Sequence, residues 1–249
     1  MRRRFSFALV VSVLLFSILA CSVVSFGDSE SELVRGSGSV GEENRTVSNI
    51  TGVELSMQGT LQIAMGSSDS LRVEAEDNLL QYIQTNVSGG RLEIKTRQGI
   101  DLRPTRPIKY FLTVGKLNAI QISSSGDVNA EDLQSESLSL TISSSGNLSI
   151  GNLDGTSLKV RISSSGNVEI EGGQVQQQNI SISSSGEYRA SDLASVTADV
   201  TLTSSGKATI RVSDRLSGRL SSSGNIYYIG SPDVNVSTTS SGKTVKINE

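Results

Sequence analysis

Hydroxyl side chains return in this chain at a fixed interval. The phrase Ser123-Ser124-Ser125-Gly126 recurs with small changes, closing on Gly146, Gly166, Gly186, Gly206, Gly224 and Gly242 at spacings of 20, 20, 20, 20, 18 and 18 residues. The hydroxyls three and one before each glycine form two files: Ser123 and Ser125, Ser143 and Ser145, Ser163 and Ser165, Ser183 and Ser185, Thr203 and Ser205, Ser221 and Ser223, Thr239 and Ser241. A serine nucleophile needs a base and a sharp strand-to-helix turn. The chain has no histidine, which excludes Ser-His-Asp triads, Cys-His pairs and imidazole metal sites. What such files can offer is hydrogen bonding. One reading is a regular binding face for a glycan, or even for ice. The plainer reading is that serine suits tight, solvated β corners, and a third is a glycosylated surface. Carboxylates are the other candidate chemistry. Asp127 and Glu187 each follow a corner glycine, but Asn147, Asn167 and Asn225 hold the same place. Turn-favouring polarity accounts for all five, and a sugar-cleaving pair is the weaker alternative. The chain lacks a phosphate-binding loop, a dinucleotide fingerprint and a calcium-binding nonapeptide, so no cofactor is expected.

The single cysteine, Cys21, belongs to a different chemistry. Arg2, Arg3 and Arg4 precede an almost wholly apolar run from Phe5 to Leu19, which closes as Ile18-Leu19-Ala20-Cys21. This is a secretory signal over residues 1–20, too short for a comfortable membrane span. A small residue before cysteine resembles a bacterial lipobox. That resemblance implies cleavage before Cys21, lipidation there and a membrane anchor. The alternative is an ordinary signal peptide, but an unpaired cysteine in an exported protein wants a reason. Removing residues 1–20 takes away three arginines and no acid, leaving 19 basic against 25 acidic side chains. A mildly acidic surface argues against nucleic acid as a partner and against a polybasic membrane face. Residues 21–44, rich in Ser, Gly and Glu, read as a flexible tether. The alternative there is a partly ordered strand near Ser39–Glu42.

Something must position the serine phrases, and the flanking residues say what. Four residues before each glycine stand Ile122, Ile142, Ile162, Ile182, Leu202, Leu220 and Thr238; two after stand Val128, Leu148, Val168, Tyr188, Ala208, Ile226 and Thr244. Apolar residues also stand six before, except at Gly218, and four after as far as Tyr228. Alternation of this kind marks strands with one buried face. A unit of this length cannot bury its own apolar face, but a stack can. The expected fold is an all-β, right-handed parallel β-helix, or β-solenoid, with right-handedness following from the crossover rule. Its rungs hold about 20 residues and lie roughly 4.8 Å apart, so seven rungs give a column of about 29 Å. The corner glycine answers to positive φ or to close approach of the next rung. The solenoid is expected over residues 45–249: irregular rungs and cap in 45–115, regular repeats in 116–242, a terminal strand in 243–249.

Within the irregular half, Val53, Leu55 and Met57 before Gly59, with Leu61 and Ile63 after it, read as an early, looser rung. Asp77 is expected to cap a short helical turn with Leu79, Leu80 and Ile83 on one face. Gly89-Gly90 predicts a hairpin or a rung change, and Arg97 to Pro107 a loop. This half should cover the open end of the stack, since solenoids need atypical terminal repeats. At the far end Tyr227, Tyr228 and Pro232, and Thr238 in place of a core isoleucine, read as a closing cap.

The Gly-Ser-Gly run, Arg45 to Leu55, the stretch DNLLQYIQTNVSGGRLEI, the Pro107-Ile108 strand and the Ser-Gly repeats together resemble the putative auto-transporter adhesin, head GIN domain, family, over about residues 39–249. The resemblance implies an exported bacterial protein, frequently a lipoprotein, with a β-helix-like fold and no catalytic motif. Where many relatives read Gly-Ser-Gly at the corner, this chain reads Ser-Ser-Gly. The expectation is a non-enzymatic, lipid-anchored protein facing the extracytoplasmic side of a bacterial envelope. It would act as an adhesin-like or structural module presenting a flat Ser/Thr face, with a cell-surface glycan or envelope protein as partner. The competing expectations are a polysaccharide-active enzyme and a repeat scaffold in envelope stress or signalling.

Overall fold

Period-two alternation becomes strand almost without interruption. The structure, a computed structural model, describes residues 31–248; the signal reading of residues 1–20 and the lipidation reading of Cys21 lie outside the described residues. From the N-terminus the strands are β1 (Glu32–Arg35), β2 (Val40–Arg45), β3 (Gly52–Leu55), β4 (Thr60–Met65), β5 (Ser70–Glu76), β6 (Ile83–Ser88), β7 (Arg91–Thr96), β8 (Ile100–Arg103), β9 (Lys109–Val114) and β10 (Ala119–Ile122). Two long strands follow, β11 (Asp127–Ile142) and β12 (Asn147–Ile162). Then come β13 (Asn167–Ile170), β14 (Gly173–Ile182), β15 (Glu187–Ala190), β16 (Ala194–Leu202), β17 (Lys207–Arg211), β18 (Arg215–Leu220), β19 (Asn225–Ile229), β20 (Asp233–Thr238) and β21 (Lys243–Lys246).

The repeats stack in parallel and in register. Ile122 pairs with Ile142, Ile142 with Ile162, Ile162 with Ile182, Ile182 with Leu202 and Leu202 with Leu220. All six are fully buried. On the other side of each corner glycine, Val128 pairs with Leu148, Leu148 with Val168, Val168 with Tyr188 and Tyr188 with Ala208. Two walls result, a β-solenoid built from coils of about 20 residues. The first wall runs β7, β3, β10, the second halves of β11 and β12, β14, β16, β18, β20; the second runs β9, β4, the first halves of β11 and β12, β13, β15, β17, β19, β21. Each buried Ile, Leu or Val contributes roughly 1.5–3 kcal/mol before ordering costs are subtracted.

Spatial order departs from chain order at the N-terminal end. The rung at Gly59 is second in the stack. β3 lies between β7 and β10, and β4 between β9 and β11. The chain therefore lays β3 and β4, runs outward, and lays β7 and β9 beyond them before returning to β10. Antiparallel strands close that end. β6 pairs with β7 across Gly89-Gly90, β5 with β9, and β2 with β5. The hairpin and the covering role expected of this half are both present.

Three expectations are corrected. Residues 32–44 of the expected tether are ordered: β1 pairs with β8 and β2 with β5. The reason is the buried Glu76 carboxylate, which accepts hydrogen bonds from Gly38 N at 2.6 Å, Thr105 N at 2.7 Å and Thr105 Oγ1 at 2.6 Å. The expected loop at 97–107 contains β8, because β1 supplies it with a partner. Asp77 does not cap a helix. The helical element is a 3-10 turn, Leu80–Tyr82, whose N-cap is Leu79 without a side-chain cap bond. Asp77 instead accepts from Asn78 N and from Ser37 Oγ, which helps fix the 36–39 segment.

Candidate functional site

The candidate serines sit where expected in exposure but not in shape. Ser123, Ser125, Ser143, Ser145, Ser163, Ser165, Ser183, Ser185, Thr203, Ser205, Ser221 and Ser223 are all exposed, and all fall in the bends between strands. They form a ridge two hydroxyls wide along a corner of the stack, rather than a flat sheet face. Backbone bonds between rungs continue through it: Ser143 N donates to Ile122 O at 3.0 Å, Ser163 N to Ile142 O at 2.9 Å and Ser183 N to Ile162 O at 2.9 Å. Ser143 and Ser163 also direct their hydroxyls at those carbonyls, at 3.5 Å. The serine between the two exposed ones turns inward, as its parity requires; Ser124 Oγ donates to Met57 O at 2.8 Å. The ridge is thus partly occupied in tying one rung to the next.

Close approach explains the corner glycines. None of Gly126, Gly146, Gly166, Gly186, Gly206, Gly224 and Gly242 has positive φ, whereas Gly59 in the irregular rung does, at 126°. A Cβ on Gly166 would stand 2.5 Å from Gly146 O and 2.5 Å from Ile142 Cγ2. The rung below fills the space a side chain would need.

The position after the glycine carries a ladder. Asn147 Nδ2 donates to Asp127 Oδ1 and Asn167 Nδ2 to Asn147 Oδ1, each at 2.9 Å. Stacking also gathers four charges of the repeats into one network. Arg189 lies 3.5 Å from Glu169 and 3.2 Å from Glu187, and Lys207 lies 3.3 Å from Glu187. Residues 20 apart meet only once the rungs are stacked. Asp127 and Glu187 are therefore engaged with neighbouring rungs, not paired with each other.

The outward side of the second wall is concave. A cavity of about 530 Å³ is lined by Gln62, Phe111, Thr113, Asn129, Glu131, Ser149 and Glu171, among others. A second, of about 280 Å³, shares Asn129 and Ser149 with it and reaches the Asp127–Asn167 ladder. Glu131 and Glu171 stand two rungs from each other with Gly151 between them, a separation of about 10 Å. Both are exposed, without the enclosure a sugar-cleaving acid needs. Among the described residues no group of His, Cys, Asp and Glu could hold a metal ion. No helix among them is long and apolar enough to cross a membrane.

Sequence reasoning missed the buried polar groups. Thr105 above all, with the backbone N–H groups of Thr105, Gly38 and Arg106, holds the Glu76 carboxyl down at about 2, against an opposing effect of burial. Tyr188 donates to Gln178 Oε1 at 2.7 Å, Gln178 Nε2 donates to Ser195 Oγ at 3.0 Å, and Ser195 Oγ donates to Arg211 O at 2.7 Å. This chain of bonds crosses the interior between walls, and burial pushes the Tyr188 hydroxyl up. Its only sequence signal is a tyrosine and a glutamine at core positions of the repeat. Tyr227 and Tyr228 are half-buried in the last full rung, Tyr227 with Lys207 5.4 Å from its ring centroid.

Solved structures share this architecture. A "putative adhesin" from Bacteroides fragilis NCTC 9343 matches with a TM-score of 0.82 at 21% identity, over 86% of this chain and 100% of that one. A "putative adhesin" from Parabacteroides merdae ATCC 43184 matches at 0.72 and 19% identity, over 87% and 99%. A "putative lipid binding protein" from Parabacteroides distasonis ATCC 8503 matches at 0.72 and 23% identity, over 87% and 100%. At these identities the likeness shows the fold. No curated protein matches the chain. The family described as "Putative auto-transporter adhesin, head GIN domain" matches residues 49–232, from the turn before β3 to the turn before β20. The chain therefore belongs to the head GIN domain family of putative auto-transporter adhesins.

Proposed function

We propose that this protein is an exported, lipid-anchored module of the bacterial envelope, held at Cys21, whose solenoid serves adhesion or envelope structure rather than catalysis. The observation that carries the reading is the division of labour among its polar groups. Outward-facing ones repeat in files along the stack, while Glu76, the one buried carboxylate among the described residues, is consumed in holding residues 36–38 to residues 105–106. An enzyme would instead enclose its acid or nucleophile in a cleft. Family membership supports a surface role. Residues 32–45 belong to the ordered domain.

Fractionation tests the anchor. Wild type is expected in the membrane fraction, and Cys21→Ala in the soluble extracytoplasmic fraction. An alanine variant that stays membrane-bound in the same form defeats the anchor reading. Binding to isolated envelope material tests the recognition role. Replacing Ser143, Ser145, Ser163 and Ser165 by bulky residues tests the ridge: unchanged binding removes it from consideration.

A further inference from the structure

We propose that the concave side of the second wall is a binding site for an uncharged oligosaccharide laid along the stack. The inference rests on the recognition reading above and names its ligand class and its place. Most polar side chains on this wall already have partners: Asp127, Asn147 and Asn167 in the ladder, Glu169, Glu187, Arg189 and Lys207 in the ion network. Six that line the larger cavity have no side-chain hydrogen-bond or ion-pair partner among the described residues: Gln62, Thr113, Asn129, Glu131, Ser149 and Glu171. They come from five successive rungs, a run of about 20 Å. A trough of amides, hydroxyls and carboxylates can both donate to and accept from vicinal hydroxyls. Phe111 adds an apolar ring, fixed by the Arg72 guanidinium at 4.1 Å from its centroid, against which a sugar's C–H face can pack. Gly151, between Glu131 and Glu171, adds no side chain to the trough, and a Cβ there would stand 2.6 Å from Glu131 O.

Charge and backbone narrow the ligand. The two charged groups in the trough are both carboxylates, so phosphate, sulfate and uronate ligands are repelled. An extended peptide would need an open strand edge for β-augmentation, and here β9, β4, β11 and β12 are bonded on both sides. What remains is a polyhydroxylated, uncharged chain that is read by side chains.

Isothermal titration of the full chain with tetrasaccharides of neutral hexose and of N-acetylhexosamine, beside a tetragalacturonate, decides the matter. Ser149→Trp fills the trough from an outward position with no hydrogen bond to lose, on a strand that accepts a large aromatic. Gln62→Ala/Asn129→Ala removes contacts without adding bulk. Binding of a neutral tetrasaccharide is expected, with loss in Ser149→Trp and about tenfold weakening in the double variant, at unchanged melting temperature. Tetragalacturonate should bind at least about tenfold more weakly. Equal binding by wild type and Ser149→Trp overturns the proposal, as does refusal of every neutral tetrasaccharide by folded wild type. If envelope material is still bound while the tetrasaccharides are refused, the trough assignment alone falls. If neither is bound, the recognition reading falls with it.

Discussion

At Gly166 one methyl group is enough to force neighbouring rungs away from each other. Its Cβ would meet a backbone oxygen and a buried isoleucine methyl at 2.5 Å, and neither can swing away, since one is in the ladder and the other in the core. Gly166→Ala should destabilise the domain by about 1–3 kcal/mol, seen as a lower midpoint in thermal or denaturant unfolding. Gly172→Ala is the control. Its Cβ would find nothing nearer than 3.6 Å, and its φ is not positive, so its stability should stay within about 0.5 kcal/mol of wild type. Equal losses in the two would refute close packing as the reason for the corner glycine. The same scale explains Tyr188→Phe. It leaves Gln178 Oε1 buried without its donor, at a cost of about 1–3 kcal/mol.

At the scale of elements, β1 and β2 are held by chemistry rather than by apolar burial. Most of their residues are exposed, Leu33 at 61% among them. What fixes the link between them is Glu76, whose carboxylate gathers donors from residues 38, 105 and 106. Its pKa is lowered from 4.5 to about 2. A lowered folded-state value means the stabilisation is complete above pH 4.5, erodes as pH falls toward 2, and is gone below it. The amide resonances of Gly38 and Thr105 should therefore titrate together with a midpoint near 2. A midpoint above 4 would show that the carboxylate is not held as described. In Glu76→Gln the amide offers one acceptor in place of two. Residues 32–45 should then become protease-sensitive at neutral pH, while the stacked repeats remain protected.

At the scale of the molecule the two ends of the stack differ. Antiparallel strands close the N-terminal end, and β2 along its edge carries Glu42 and Glu43, charges that discourage further pairing. At the other end β20 and β21 pair on one side only among the described residues. There the files turn polar, with Thr238 opposite Leu220, Thr244 opposite Ile226 and Lys246 opposite Tyr228. That is a cap made by composition rather than by cover. In a stack where each rung is supported by its neighbours, the last should open most readily. Amides of β20 and β21 should exchange hydrogen well before those of the paired segments of β12 and β14. Uniform protection along the stack would contradict a fraying end.

The sequence alone determined the repeat unit, its strands, its inward files and its corners. Period two is a local property of the chain, and a spacing of 20 residues leaves stacking as the way to bury it. It also showed that histidine chemistry is absent. The tertiary structure decided what depends on residues far apart in sequence meeting. The rung at Gly59 was visible, but not that β7 and β9 lie beyond it, because nothing local ranks parallel neighbours. Residues 32–44 read as tether because their holding group, Glu76, is remote and lies on another strand. The serines were legible as exposed, but ridge or face depends on where the chain bends. The trough emerged last, since Phe111, Gln62, Asn129, Ser149 and Glu171 share a surface only after the stack has interleaved their strands.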